Sequence, residues 1–174
     1  VIIMHTNILV LTFADDAHAA YHRTSRSIEM IAKNSAGTIE YTPTDKYDES
    51  RVMQVSTPLF PADSIGREEV LDAFAKTKAA FMDNIKALRR ILASNSDEEL
   101  FYVKAKPDGI TENDPMFFLS FCERLCMPRS SSIYLYDCDS FGITSDGYLK
   151  SVLDHTIGPN KPLWAVSFDV CLRG

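Results

Sequence analysis

Ile8-Leu9-Val10-Leu11-Thr12-Phe13 is an almost unbroken apolar run. Such a run offers no polar face to water, so it predicts a central β-strand covered on both sides. A strand of that kind requires helices on each face of its sheet, and the rest of the chain supplies strands and helices in alternation. Asp15-Asp16 marks a helix start, because acids are favoured at the positive N-terminal end. The helix is predicted from Ala17 to Lys33, with Ala20, Ile28, Ile31 and Ala32 as its apolar side, and Ala36-Gly37 ends it.

Strands are predicted at Thr38–Thr42, stopped by Pro43, and at Val52–Ser56. Two prolines three apart make residues 57–63 a loop. The longest helix is predicted from Arg67 to Ala93. Val70, Phe74, Phe81, Ile85, Leu88 and Leu92 form one stripe on it, and Lys76, Lys78, Lys86, Arg89 and Arg90 lie on the wet side. A strand over Leu100–Ala105, a turn at residues 107–109 and a helix from Asn113-Asp114-Pro115 to about Met127 follow. Next come a strand at Ile133–Tyr136, a helix capped by Ser145-Asp146 and reaching Leu153, and a last strand at Leu163–Phe168. The alternation predicts an α/β fold: a three-layer α/β/α sandwich with a mostly parallel, Rossmann-like sheet, in a single domain spanning residues 1–174.

The net charge of −6 disfavours a phosphate backbone as partner, so no nucleic acid is expected. No apolar run reaches the ~20 residues of a bilayer span, and the first residues lack the basic start of a signal peptide. The expected location is cytoplasmic. Whether the chain is a piece of a larger protein stays open. Cys122, Cys126, Cys138 and Cys171 are expected to be free thiols in a reducing compartment, three of them in apolar surroundings. The loops at residues 43–51 and 57–66 and the long helix are candidate surfaces for a protein partner.

Asp137-Cys138-Asp139 follows the strand Ile133–Tyr136. Ligands of open α/β sheets sit at the carboxyl ends of strands. Residues i and i+2 of a strand point to one face, so both carboxylates are expected to meet one ligand. Two adjacent carboxylates repel each other, and a divalent cation relieves that and bridges a phosphate. Asp15 and Asp16 are expected at the same edge, forming a cleft with four carboxylates. They suit a cation, a ribose hydroxyl or an amine. No glycine follows the first strand, which argues against a dinucleotide fingerprint or a P-loop. Gly-x-Ser-x-Gly is absent, which removes the α/β-hydrolase reading.

The run Ile133-Tyr134-Leu135-Tyr136-Asp137-Cys138-Asp139 resembles the Asp-x-Asp strand of GT-A glycosyltransferases, and Leu9–Ala14, a helix and Thr38–Thr42 resemble the start of that fold. The resemblance implies a metal-dependent transferase acting on a nucleotide-sugar or another phosphate ester. Mn²⁺ or Mg²⁺ would be held by Asp137 and Asp139, and Thr12, Phe13 and Ala14 would lie near the base. With Asp16, these are the candidate substrate-binding residues; no catalytic residue is assigned. The alternative is a non-catalytic α/β module that binds a protein partner.

A third reading starts from Lys161-Pro162-Leu163-Trp164 and Val170-Cys171-Leu172-Arg173-Gly174, which resemble the strand leading to the nucleophile of caspase-like cysteine proteases. Leu172 interrupts the motif, and His155 is the histidine nearest in sequence. From the residues alone Cys171 is expected to be a buried thiol. His18 and His22 are four apart on the first helix and share a face. With Asp15 nearby they form half of a metal motif, but no Glu follows His18, so a solvated helix face is expected. His22, Arg23 and Arg26 lie near the carboxyl edge of the first strand, where they could meet an anion.

Overall fold

The computed structural model describes residues 3–35, 37–42, 46–60, 65–101 and 132–173. The chain forms two compact units, Val1–Thr77 with Ser130–Gly174, and Lys78–Arg129. In chain order the described elements are β1 (Ile3–Phe13), α1 (Ala17–Asn34), β2 (Ile39–Glu40), a 3-10 turn (Glu49–Arg51), β3 (Val52–Ser56), α2 (Ile65–Ser94), α3 (Asp97–Phe101), β4 (Leu135–Asp137), α4 (Asp146–Leu153) and β5 (Leu163–Arg173).

The first unit is a mixed α/β fold with helices on both faces of a central sheet. The strand order is β2-β5-β1-β4, and β3 also pairs with β5. The apolar run does occupy the middle. Ile8, Val10, Val166, Phe168 and Val170 face one side with Ala20, Tyr21, Ile28 and Ile31 of α1. Leu9, Leu11, Leu135, Leu163 and Ala165 face the other with Val70, Ala73 and Phe74 of α2 and Leu149, Val152 and Leu153 of α4. This is the period-2 alternation of strands, read with both faces apolar.

The pairing differs from the expected mostly parallel sheet. Only β1 and β4 pair in parallel among the described strands, while β1–β5, β2–β5 and β3–β5 are antiparallel. The strand directions explain the difference. Relative to β1, strands β2, β3 and β4 all run the same way, and β5 alone is reversed. Because the reversed strand sits inside the sheet, it converts three of the four pairings. Its free edge is shared, with β3 at its start (Val52↔Val166) and β2 at its end (Ile39↔Leu172).

Two further expectations change. The strands at the sheet's centre are longer than the apolar runs that marked them, since β1 and β5 each extend to 11 residues through His5 and Cys171. Leu100 and Phe101 belong to α3 rather than to a strand. A capping box starts that helix: Glu99 N–H donates to Ser96 Oγ at 3.2 Å, and Ser96 N–H donates to Glu99 Oε2 at 2.8 Å. The remainder of the expected strand (102–105), the turn at 107–109, the helix from 113, Cys122, Cys126 and Pro43 lie outside the described residues. None of the helices among the described residues is long and apolar enough to cross a membrane.

The first turn of α2 lies very close to β3. A Cβ on Gly66 would sit 2.5 Å from the Gln54 carbonyl oxygen, whereas one on Gly147, in the first turn of α4, would meet nothing nearer than Ser145 Oγ at 3.8 Å. Alanine is favoured over glycine in helices by up to ~1 kcal/mol. Gly147→Ala is therefore expected to raise the urea midpoint, and Gly66→Ala to lower it despite the same propensity gain. Equilibrium unfolding of the two variants beside the wild type measures both signs.

Candidate functional site

The parallel pair β1–β4, in register Leu9↔Leu135, Val10↔Tyr136 and Leu11↔Asp137, brings the carboxyl ends of both strands to one edge. A cavity of about 250 Å³ opens there, bordered by Thr12, Phe13, Arg23, Asp137, Asp139 and Tyr148 with apolar walls from Ile143, Val152, Ile157 and Leu163. Ligand pockets usually span roughly 300–1,000 Å³, so this one holds a small group. A shallower depression of about 350 Å³ adjoins it and shares Asp137, Asp139 and Tyr148. The acidic pair thus stands on the wall common to both.

How the two acids come together differs from the strand rule. β4 ends at Asp137, and the chain then turns back, with Tyr136 bridging to Gly142. Asp137 Oδ1 accepts from the N–H groups of Asp139 (3.0 Å) and Phe141 (3.2 Å), and Asp137 Oδ2 accepts from the Tyr148 hydroxyl at 3.1 Å. Asp137 is thus the anchor of the turn. Ser140 takes the strain with a φ of 66°. Asp139 lies at the apex and is exposed, and among the described residues no hydrogen bond or ion pair engages its carboxylate. From below, Ser27 of α1 donates to the Cys138 carbonyl at 2.6 Å, which seats the turn on the helix. The Tyr148 phenol is held above its ordinary value by partial burial and then by the Asp137 carboxylate, so it remains a donor.

The opposite wall comes from the end of β1. Thr12 and Phe13 border the cavity. Ala14 does not border it: its N–H donates to the Pro162 carbonyl at 3.1 Å and its carbonyl accepts from Trp164 Nε1 at 3.0 Å. Asp16 is the N-cap of α1, accepting from Ala19 N–H at 2.8 Å. Asp15 pairs with Lys161 at 2.7 Å. The expected cleft of four carboxylates is therefore a cavity with two carboxylates and one cation. That cation is Arg23, whose Nη1 donates to the Phe13 carbonyl at 3.2 Å. Gly158 (φ 94°) passes directly over Phe13, where a Cβ would lie 2.5 Å from the ring.

Phe13 also rests against His155, edge to face at 5.6 Å. His155 Nε2 meets Ser56 Oγ at 2.9 Å, tying the end of α4 to β3. Its Nδ1 is buried with no hydrogen-bond partner among the described residues.

A second group of side chains was not legible from spacing. His5 of β1 stands opposite Cys171 of β5 in the register. Cys171 Sγ lies 3.6 Å from His5 Nε2, and His5 Nδ1 lies 3.4 Å from Asp169 Oδ1. The thiol is half-buried rather than buried, and its histidine is His5, not His155. The alternation of Val166, Ser167, Phe168, Asp169, Val170 and Cys171 carried the signal that Asp169 and Cys171 share a face; only the tertiary pairing places His5 there. Among the described residues, no group of three or more His, Cys, Asp or Glu side chains is arranged to hold a metal ion.

Burial pushes the His155 imidazole below its ordinary value of 6.5, with the hydrogen bond at Ser56 acting the other way. The unfolded chain therefore takes up this proton first as pH falls. The contribution is fully present above about pH 6.5, declines as pH drops through that value, and levels off below the lowered folded value. His155→Asn is expected to remove this part of the acid slope, read as the difference between wild-type and variant urea unfolding free energies across that window. Compared with known proteins, the chain matches no family model, no curated protein and no solved structure.

Proposed function

We propose that the cavity at the carboxyl edge of β1 and β4 binds a phosphorylated small molecule through a divalent cation at Asp137 and Asp139, with group transfer from a nucleotide-sugar as the reaction class. The observation that supports this is the acidic pair on the wall shared by two adjoining cavities. A diphosphate crossing that wall would place its two ends on either side. Mg²⁺ is commonly held by one or two carboxylates, with substrate phosphates and water completing the shell, so two protein ligands fit that chemistry. The ion would neutralise the diphosphate and the leaving group. Asp137 is prevented from rotating by the turn and by Tyr148, while Asp139 is open to solvent. Arg23 supplies positive charge to the phosphates, and Phe13 and Ile157 offer apolar surface to a base or sugar face.

Thermal melts with Mn²⁺ or Mg²⁺ and a nucleoside diphosphate test this reading. Binding to the folded state adds about 2.7 kcal/mol of stability at a hundredfold excess over Kd and so raises the midpoint. The rise is expected to need metal and diphosphate together and to vanish in Asp139→Asn. An unchanged midpoint with millimolar metal and nucleoside diphosphate present together, or an equal rise in the variant, rejects it.

Cys171 supports a second reading, a nucleophilic thiol of the kind used by cysteine proteases. Cys171 Sγ lies 3.6 Å from His5 Nε2 and 3.8 Å from His5 Nδ1, and Asp169 Oδ1 lies 3.4 Å from that Nδ1, so in this reading a small turn of the His5 ring would let Nε2 take the thiol proton while Asp169 holds Nδ1. Iodoacetamide labelling followed by peptide mass mapping is expected to show Cys171 reacting faster than Cys138, with the excess lost in His5→Ala. Equal rates at the two thiols exclude it.

A further inference from the structure

On α1, away from the carboxyl-edge cavity, His18 and His22 turn their imidazoles toward each other, with Nε2 atoms 3.3 Å apart and ring centroids at 4.3 Å. Both side chains are exposed. The separation lies toward the long end of the hydrogen-bond range. It is close to the edge of a coordination polyhedron: two nitrogens, each ~2.0–2.1 Å from one ion, stand about 3.3–3.4 Å apart at the tetrahedral angle of Zn²⁺ and about 2.8–3.0 Å apart at the right angle of Ni²⁺ or Cu²⁺.

We propose that His18 and His22 form an open binding site for a borderline-soft divalent ion such as Zn²⁺, Ni²⁺ or Cu²⁺, distinct from the hard-cation site at Asp137 and Asp139. Three features favour it. The i, i+4 spacing on a regular helix sets the two rings on one face without distortion. The ring of Tyr47 packs against His18 at 5.0 Å and against Tyr21 at 5.3 Å, which limits the freedom of the first imidazole before any ion arrives. The surroundings are acidic: Tyr47 lies in the field of Glu49, Asp16 and Asp48. Asp15, the third ligand considered from sequence, is committed to Lys161. With two protein ligands, the remaining positions belong to water or to a donor from another molecule, which makes the site exchangeable rather than structural.

Imidazole prefers Zn²⁺, Ni²⁺ and Cu²⁺, and carboxylates prefer Mg²⁺ and Mn²⁺, so the two sites separate by metal choice. Ni²⁺ alone, titrated into the full chain and followed by NMR, provides the test. Paramagnetic broadening of the His18 and His22 ring resonances is expected together, ahead of His5 and His155, and should persist with the cysteines alkylated. His22→Ala should remove the early broadening at His18, and Asp139→Asn should leave it unchanged. Broadening that begins at His5 or His155, or that survives at His18 in the His22→Ala chain, overturns the proposal. The order of broadening in the unaltered chain decides the question even if the variant folds poorly.

Discussion

The antiparallel ladder between β1 and β5 runs unbroken from Ile3↔Arg173 to Phe13↔Leu163. Register in such a ladder is strict where faces are buried, since a slip of one residue would send every side chain to the wrong layer. Here both faces of its inner half are apolar and covered. Val10 and Val166 therefore meet α1 while Leu11 and Ala165 meet α2 and α4. β5 also carries β2 and β3 on its other edge. The end of the ladder sets the position of the cavity, because the chain leaves β1 at Phe13 and is held at Ala14 by Pro162 and Trp164.

The acidic turn shows how one motif divides its labour. Asp137 and Asp139 carry the same functional group, yet Asp137 has two backbone donors and a phenol on its oxygens, and Asp139 has open solvent. A carboxylate fixed in that way has already lost its rotamer freedom on folding, while its exposed neighbour keeps its own. Ser27 and Tyr148 do not supply charge. They determine where the charge stands, one from α1 beneath the turn and the other from α4 beside it.

Much of this was readable from residue types. The buried central strand, the Asp16 cap of α1, the Ser145 cap of α4 and the wet face of α2 follow from local rules about apolar period and orphan N–H groups. Other local signals concern single strands and turns. The alternation through Val166–Leu172 is the mark of an antiparallel strand with one face toward water, and Ser96-Asp97-Glu98-Glu99 is a capping box. Others could not be local. The i, i+2 rule fails for Asp139 because the strand ends first, and His5 reaches Cys171 across 166 residues of sequence only because two strands pair.

Hydrophobic period and helix capping are short-range effects, and from them the sequence alone determined the layers of the fold, its core strand and most of its helices in the described residues. Tertiary structure decided the direction of pairing, since a reversed β5 and a parallel one bury the same apolar residues and differ only in which backbone groups they meet. It also decided the composition of the site. Asp15 and Asp16 were drawn away by Lys161 and by the N-terminus of α1, and Arg23 and Tyr148 were brought in. Charges distant in sequence find partners only once packing has set the distances between them.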